Sequence, residues 1–202
     1  PFRKSEVGSR IWAIAMLLMF ALSLRAQDKV DDALARATQY LLLTQDPATG
    51  GIHNKMRHET AMTSLGILAL ASMGHQPADP TAEGKAMKRA LSFVLRPEAQ
   101  EKDGYFGQTD GSRMYGHGIT TLTLAEMLGM GADAAQDELL RDRVRKAIDL
   151  ILRAQKVTKN EKARGGWRYL PSDTSSDMSV TVWQVMALRA ARKMARSTWR
   201  WR

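Results

Sequence analysis

The sequence predicts an all-α fold, a partial α/α toroid built from three outer–inner helix hairpins. A helix pair recurs over residues 31–74, 84–131 and 137–192, and a loop that joins glycine to a hydrophobic residue divides each pair. The first helix of each pair is charged and amphipathic, whereas the second is almost uncharged. A repeat period of roughly 50–60 residues is typical of stacked supersecondary units. These observations together predict a helical repeat protein.

The first 26 residues are expected to lie outside the repeats. Three basic residues within the first ten precede an uncharged apolar run over 11–24, and Ala26 is a small residue suited to cleavage. This order is that of a secretory signal peptide. The alternative is a membrane anchor, but a helix of this run would span only about 21 Å of a ~30 Å hydrocarbon core. We therefore predict a signal peptide over 1–26, a repeat domain over 27–196 and export to the periplasm or the extracellular space.

Charge and cysteine content narrow the possible functions. The chain has 30 basic and 21 acidic residues, a formal net charge of +9 and no cysteine. Without cysteine there can be no disulfide, thiolate zinc site or thiol nucleophile. Basic residues cluster towards the C-terminus, and we interpret them as a solvated helix face or a loose attraction to an anionic membrane surface. A nucleic-acid interface also contains such clusters, but we predict no nucleic-acid partner because exported proteins seldom meet nucleic acid.

The helices alternate between two types. Outer helices, with apolar residues at helical spacing beside charged ones, are expected over 31–45, 85–96 and 137–155. Inner helices, in which Glu126 is the single charged residue, are expected over 60–73, 119–130 and 180–188. A helix that is apolar on every side must be covered on every side. The alternation therefore predicts two concentric layers, amphipathic outside and apolar inside.

Capping residues mark the expected starts of the inner helices. Asp177 or Ser179 precedes the third inner helix, and Thr60 and Thr120 could act in the same way in the first two. The side-chain oxygens of these residue types accept hydrogen bonds from the first N–H groups of a helix. Gly74 is a suitable stop for the first inner helix.

Three loops contain a Gln followed at a short distance by a Gly and then an aromatic or aliphatic residue: Gln100 to Phe106, Gln155 with Gly165 to Trp167, and Gln45 with Gly50 to Ile52. These loops resemble the repeat of the prenyltransferase and squalene-cyclase family, in which a Gln is followed by three residues, a Gly, one residue and an aromatic residue. The resemblance covers about residues 31–192 and is closest to the shorter secreted relatives of squalene–hopene cyclases. It implies an α/α toroid in which the Gln and the aromatic residue join outer helices to neighbouring loops, and it does not by itself imply catalysis.

The same resemblance raises the alternative of a terpene cyclase or prenyltransferase-type enzyme. In squalene–hopene-type cyclases an Asp-x-Asp-Asp-Thr-Ala motif precedes an inner helix, and its middle Asp protonates the isoprenoid. Asp177 matches the last Asp here, but Ser176 stands at the proton donor, and a hydroxyl cannot protonate an alkene. Asp173 could substitute, although it lies out of register. The enzyme alternative therefore uses Asp173 and Asp177. It lacks the zinc site of protein prenyltransferases, because that site needs Asp, Cys and His and the chain has no cysteine.

Polar residues precede each inner helix at a regular interval. His58 and Glu59, then His117, then Asp177 are separated by about the length of one repeat. Parallel inner helices would gather these residues at one end. They could then form a metal site, line the mouth of a pocket beside helix dipoles, or act only as caps and loop braces.

Loop aromatic residues are the remaining candidates for ligand binding. Tyr105, Tyr115, Trp167 and Tyr169 could stack on sugars or cover an isoprenoid chain. The alternative is that they pack between repeats, as the resemblance implies. Several methionines, among them Met127 and Met130, are interpreted as gap fillers of the core.

The sequence thus predicts an exported repeat protein that binds an apolar or sugar-like ligand, an isoprenoid or a carbohydrate, in its concave centre. No cofactor is predicted. A non-catalytic interaction scaffold is a further alternative. Three hairpins do not close a toroid, and neither terminal repeat has the polar face that caps a solenoid. We therefore also predict further repeats or self-association, and we interpret residues 197–202 as a truncated tail.

Overall fold

The computed structural model describes residues 29–53, 55 and 57–198. The predicted signal peptide, Met56 and the last four residues of the predicted tail lie outside this range. The described part is helical, which confirms the all-α class. Its α-helices are α1 (Lys29–Thr44), α2 (Glu59–Ser72), α3 (Ala82–Val94), α4 (Arg113–Glu126), α5 (Ala134–Gln155) and α6 (Met178–Thr198). None of these helices combines the length and hydrophobicity that a membrane crossing requires.

The chain divides into two compact units, residues 1–40 and 41–202. In the first unit the structure describes residues 29–40, which belong to α1. Thr38 is the buried residue of α1, while Val30 and Leu34 are exposed apolar residues. The cavities and hydrogen-bonded turns described below belong to the second unit.

The second unit consists of inner and outer helices. Inner helix α4 packs against both α2 and α6, while outer helix α3 packs against α2 and outer helix α5 packs against α4 and α6. Neighbouring inner helices thus form one layer, and the amphipathic helices flank it, as the charge pattern predicts. Closure into a toroid stays a prediction.

Helix α4 is the most enclosed element because the other inner helices contact it on two sides. Eleven of its 14 residues are buried. Glycine permits the close approach of α6: a Cβ atom at Gly118 would lie 2.5 Å from Gln184 Nε2 and 2.7 Å from Trp183 Cβ. On the outer helices only one face is buried, for example Met87, Leu91 and Val94 of α3.

Two of the predicted helix caps are wrong. Helix α4 begins at Arg113 rather than Ile119, so Thr120 lies within the helix, buried and hydrogen-bonded to Ser64 Oγ at 3.1 Å. Thr60 lies in the first turn of α2, where its hydroxyl accepts a hydrogen bond from Arg96. The predicted start of α4 was too late because glycine disfavours a helix interior. Gly116 and Gly118 therefore suggested that the helix begins after them. At α6 the prediction of Asp177 is confirmed, since its carboxylate accepts from Val180 N at 3.0 Å.

Candidate functional site

The first Gln–Gly turn, residues 45–52, is joined to outer helix α3 by the side chain of Gln45. Its Nε2 donates to Gly50 O and to Ala86 O of α3, each at 2.9 Å. Arg89 Nη2 donates in return to Gln45 Oε1 at 2.9 Å. Gly50 lies directly under the backbone of Arg89, and its φ of 81° lies in the region that favours glycine. The buried glutamine thus connects a turn with the following outer helix.

The second turn repeats this arrangement with outer helix α5. Gln100 Nε2 donates to Gly104 O at 3.0 Å and to Arg143 O at 2.9 Å, and Arg143 Nη1 is 3.3 Å from Gln100 Oε1. Gly104, at φ 100°, lies directly under the backbone of Lys146. Gln45 and Gln100 therefore each connect a turn with the outer helix that follows it.

A second repeated contact joins each turn to the inner helix that follows it. In each of the three loops, the residue two positions after the first glycine donates its backbone N–H to a side chain of the following inner helix, about one helical turn from the start of that helix. The pairs are Ile52 with Thr63 Oγ1 at 2.8 Å, Phe106 with His117 Nδ1 at 3.3 Å, and Trp167 with Thr181 Oγ1 at 3.1 Å. His117 is thus the structural counterpart of Thr63 and Thr181. The predicted equivalence of His58, His117 and Asp177 is wrong, because His117 lies five residues beyond Ser112, the N-cap of α4, whereas His58 is itself an N-cap.

His117 is a buried structural histidine. Its side chain is fully buried, and its Nδ1 accepts from Phe106 N. Nε2 must therefore carry the proton, which it donates to Ala147 O of α5 at 3.2 Å. Burial lowers the pKa of His117 to about 3, so the imidazole is neutral. It joins a turn, an inner helix and an outer helix, and it is closed off from solvent.

His58 and Glu59 line a polar cavity of about 520 Å³ at the start of α2. His58 Nδ1 is 2.9 Å from Asp110 O, and Glu59 Oε1 is 2.9 Å from His53 Nδ1. The hydrogen bond that His53 donates to Glu59 raises the pKa of His53. The other lining residues are Arg57, Arg96, Gln108, Thr109, Asp110 and Gly111. Of the predicted pocket residues, these two therefore do face a cavity.

Two charged groups of this polar cavity, Asp110 and Arg96, already have structural partners. Asp110 is buried and accepts from Ala61 N of α2 at 3.2 Å and from Ser112 N at 2.9 Å. Arg96 lies 3.8 Å above the ring of Phe93, and burial lowers its pKa. Among the described residues, no three His, Asp or Glu side chains come together as a metal ion would require. The cavity is therefore a polar recess braced by its own hydrogen bonds.

The aromatic residues that were predicted to bind a ligand pack within the fold. Tyr105 is buried, and burial raises its pKa above the ordinary range. Trp167 is also buried and donates its indole N–H to Ile151 O at 2.9 Å. Tyr115 and Tyr169 are half-buried and stack on each other, with ring centroids 6.2 Å apart. The alternative interpretation, packing between repeats, accounts for all four.

Asp173 and Asp177 brace the loop before α6. Asp173 Oδ2 accepts from Leu170 N at 2.8 Å, and Asp177 accepts from Val180 N and from the Ser179 hydroxyl. The Ser179 hydrogen bond, followed by the Val180 N–H, lowers the pKa of Asp177. A general acid must retain its proton near neutral pH, which requires a raised pKa. The geometry at Asp177 acts in the opposite direction.

An apolar cavity of about 590 Å³ lies where the C-terminal parts of α2 and α4 meet the middle of α6. Sequence reasoning missed this cavity, although its interpretation of Met127 and Met130 as core residues is confirmed, since Met127 belongs to the hydrophobic core and Met130 packs against it. The one signal available was the run of large apolar residues beside the helix-ending glycines Gly74 and Gly129. The lining residues are Leu68, Ala71, Ser72, Gly74, His75, Gln76, Leu122, Glu126, Met127, Met130, Trp183 and Met186.

Comparisons with known proteins do not assign this chain to a family, so its class is defined by the fold and these cavities. No family model, curated protein or solved structure matches the chain. The features above define a class, an all-α protein with an apolar cavity between helices α2, α4 and α6.

Proposed function

We propose that the chain is an exported binding protein whose ligand is a long apolar molecule, such as an isoprenoid or another alkyl chain. The ligand occupies the apolar cavity between α2, α4 and α6. The observation that carries the proposal is the lining of this cavity, in which Leu68, Leu122, Met127, Met130 and Trp183 surround about 590 Å³.

The chemistry of the walls suits such a ligand. Small-molecule sites are concave and mostly apolar, with a few polar groups that orient the ligand. Methionine side chains are flexible and adapt to irregular apolar shapes. The polar lining residues His75, Gln76 and Glu126 are half-buried or exposed, so they mark the side that faces solvent. A ligand with an apolar chain and a small polar end would match this distribution.

The other candidate functions have weaker support. A carbohydrate site was expected to use the loop aromatic residues, but Tyr105 and Trp167 are buried and Tyr115 stacks on Tyr169. The terpene-cyclase alternative requires an acid, whereas Asp177 accepts hydrogen bonds that lower its pKa and Asp173 accepts the N–H of Leu170 within its own loop. Ligand binding without turnover is therefore the function we propose.

The test is a thermal-shift measurement with farnesol, palmitate and maltose as probes. We expect the two apolar probes to raise the melting temperature in a concentration-dependent way and maltose to leave it unchanged. Ala71→Phe places a ring in the cavity and should abolish the shift. The matched control is Ala69→Phe on the same helix, since Ala69 does not line the cavity. A shift with maltose alone, or equal shifts in both variants, would contradict the proposal.

A further inference from the structure

The third Gln–Gly turn lacks the cover that the first two turns have. Gln155 Nε2 donates to Gly165 O at 2.8 Å, as Gln45 and Gln100 do in their turns. Gly165 is exposed, and a Cβ atom added there would meet nothing within 4 Å. In the part of the chain that the structure describes, no outer helix lies over this turn. Gln155 nevertheless makes the same hydrogen bond to its turn glycine that Gln45 and Gln100 make in the covered turns.

Helix α6 exposes an apolar face at the same end of the repeat series. Met178, Val182, Val185 and Met186 are 43–78% exposed and follow one another at helical spacing. The other inner helices show what such a face normally contacts, since α2 packs against α4 and α4 against α6. The uncovered turn and the uncovered inner helix are two independent signs of the same missing neighbour.

Outer helix α1 of the chain matches the spacing of α5, whereas in α3 the covering residues Ala86 and Arg89 precede Gln100 by 14 and 11 residues. Arg36 of α1 precedes Gln45 by nine residues, as Lys146 of α5 precedes Gln155, and Ala33 precedes Gln45 by twelve, as Arg143 precedes Gln155. Arg143 and Lys146 are the positions of α5 that cover the second turn. Ala33 and Arg36 are both exposed on α1.

We propose that a second copy of this chain docks head-to-tail at this end, with its α1 over the third turn of the first copy. Gln155 Nε2 donates to the Ala33 carbonyl of the second copy, and the Arg36 guanidinium donates to Gln155 Oε1. These contacts reproduce those of Gln45 with Ala86 and Arg89 of α3. The interface is heterologous, so each copy leaves one further edge for another copy.

Sedimentation velocity of the full chain over a range of concentrations tests the association. We expect the mass to rise with concentration beyond that of a dimer. Gln155→Ala and Arg36→Ala should each weaken association roughly 10-fold, and the double variant no further than the stronger single one. Gln108→Ala, at an exposed glutamine elsewhere, is the matched control. A monomer at every concentration, or association unchanged in both variants, overturns the proposal.

Cross-linking distinguishes this arrangement from a two-fold dimer. Because the chain has no cysteine, Ala33→Cys and Arg164→Cys each introduce a unique thiol, the latter beside Gly165. A short bis-maleimide should join the two variants when they are mixed and give little product with either variant alone. Pairing Arg164→Cys with Gln108→Cys is the control. Equal product from Arg164→Cys alone would indicate a two-fold contact and overturn the proposal.

Discussion

Single side chains hold the repeats together, and the residue type differs where the surroundings differ. Thr63 and Thr181 accept the turn N–H with a hydroxyl, whereas His117 accepts it with a ring nitrogen and also donates to Ala147 O of α5. The histidine thus makes two connections where threonine makes one, at the centre of the described repeats.

The buried imidazole should make the protein sensitive to acid. The folded pKa of His117, about 3, lies below the unfolded value of about 6.5. The unfolded chain therefore binds the extra proton between these values, and the free energy of unfolding falls as the pH decreases from 6.5. We expect up to about 1.4 kcal/mol per pH unit from this group. Chemical denaturation of the parent and of His117→Gln from pH 7 to pH 4 checks this, because the slope should be shallower in the variant. Parallel profiles would show that another group is responsible.

The glutamines of the second and third turns provide a matched pair. Gln100→Ala leaves Gly104 O, Arg143 O and the Arg143 guanidinium without their buried partner, which we expect to cost about 2–4 kcal/mol of unfolding free energy. Gln155→Ala removes a single hydrogen bond, which is exposed, and should cost less than about 1 kcal/mol. Urea denaturation at low protein concentration measures both. Similar losses in the two variants would mean that cover by an outer helix is not what makes the glutamine important.

At the scale of the helices, close approach depends on small residues in the inner layer. Gly118 allows α6 to contact α4, and the same glycine conceals the start of α4 from sequence reasoning. Intrinsic propensity and tertiary packing conflict at this position, and packing prevails.

Gly118→Ala should therefore destabilise the protein although alanine favours a helix. The new methyl group would lie 2.5 Å from Gln184 Nε2 and 2.7 Å from Trp183 Cβ, so α6 must shift. We expect a net loss of about 1–3 kcal/mol after the helical gain of about 1 kcal/mol. Thermal unfolding checks the loss, with Ser72→Ala at an exposed site of α2 as the control. A more stable Gly118→Ala protein would show that the helices have room to separate.

At the scale of the second unit, three inner helices create a cavity that none of them contains alone. Its walls come from α2, α4 and α6, and Trp183 of α6 lines it beside Met186. Ligand binding and the contact between α4 and α6 therefore share one surface.

Trp183 should report ligand entry directly. An apolar ligand replaces water beside the indole, so titration with farnesol should shift the tryptophan emission to shorter wavelength. Trp183→Phe should lose this spectral change while keeping the thermal shift, because phenylalanine preserves an apolar wall. A spectral change that persists in Trp183→Phe would place the ligand near another tryptophan.

The local pattern of the chain was enough to predict the helical class, the alternation of charged and apolar helices and the Asp177 cap. Each depends on periodicity or on contacts between residues close in sequence. Only the tertiary structure decided that His117 belongs with Thr63 and Thr181, that Tyr105 and Trp167 are buried, and that Leu68, Leu122 and Trp183 line one cavity. These outcomes depend on which faces of distant helices meet, and a spacing along one chain does not specify that contact.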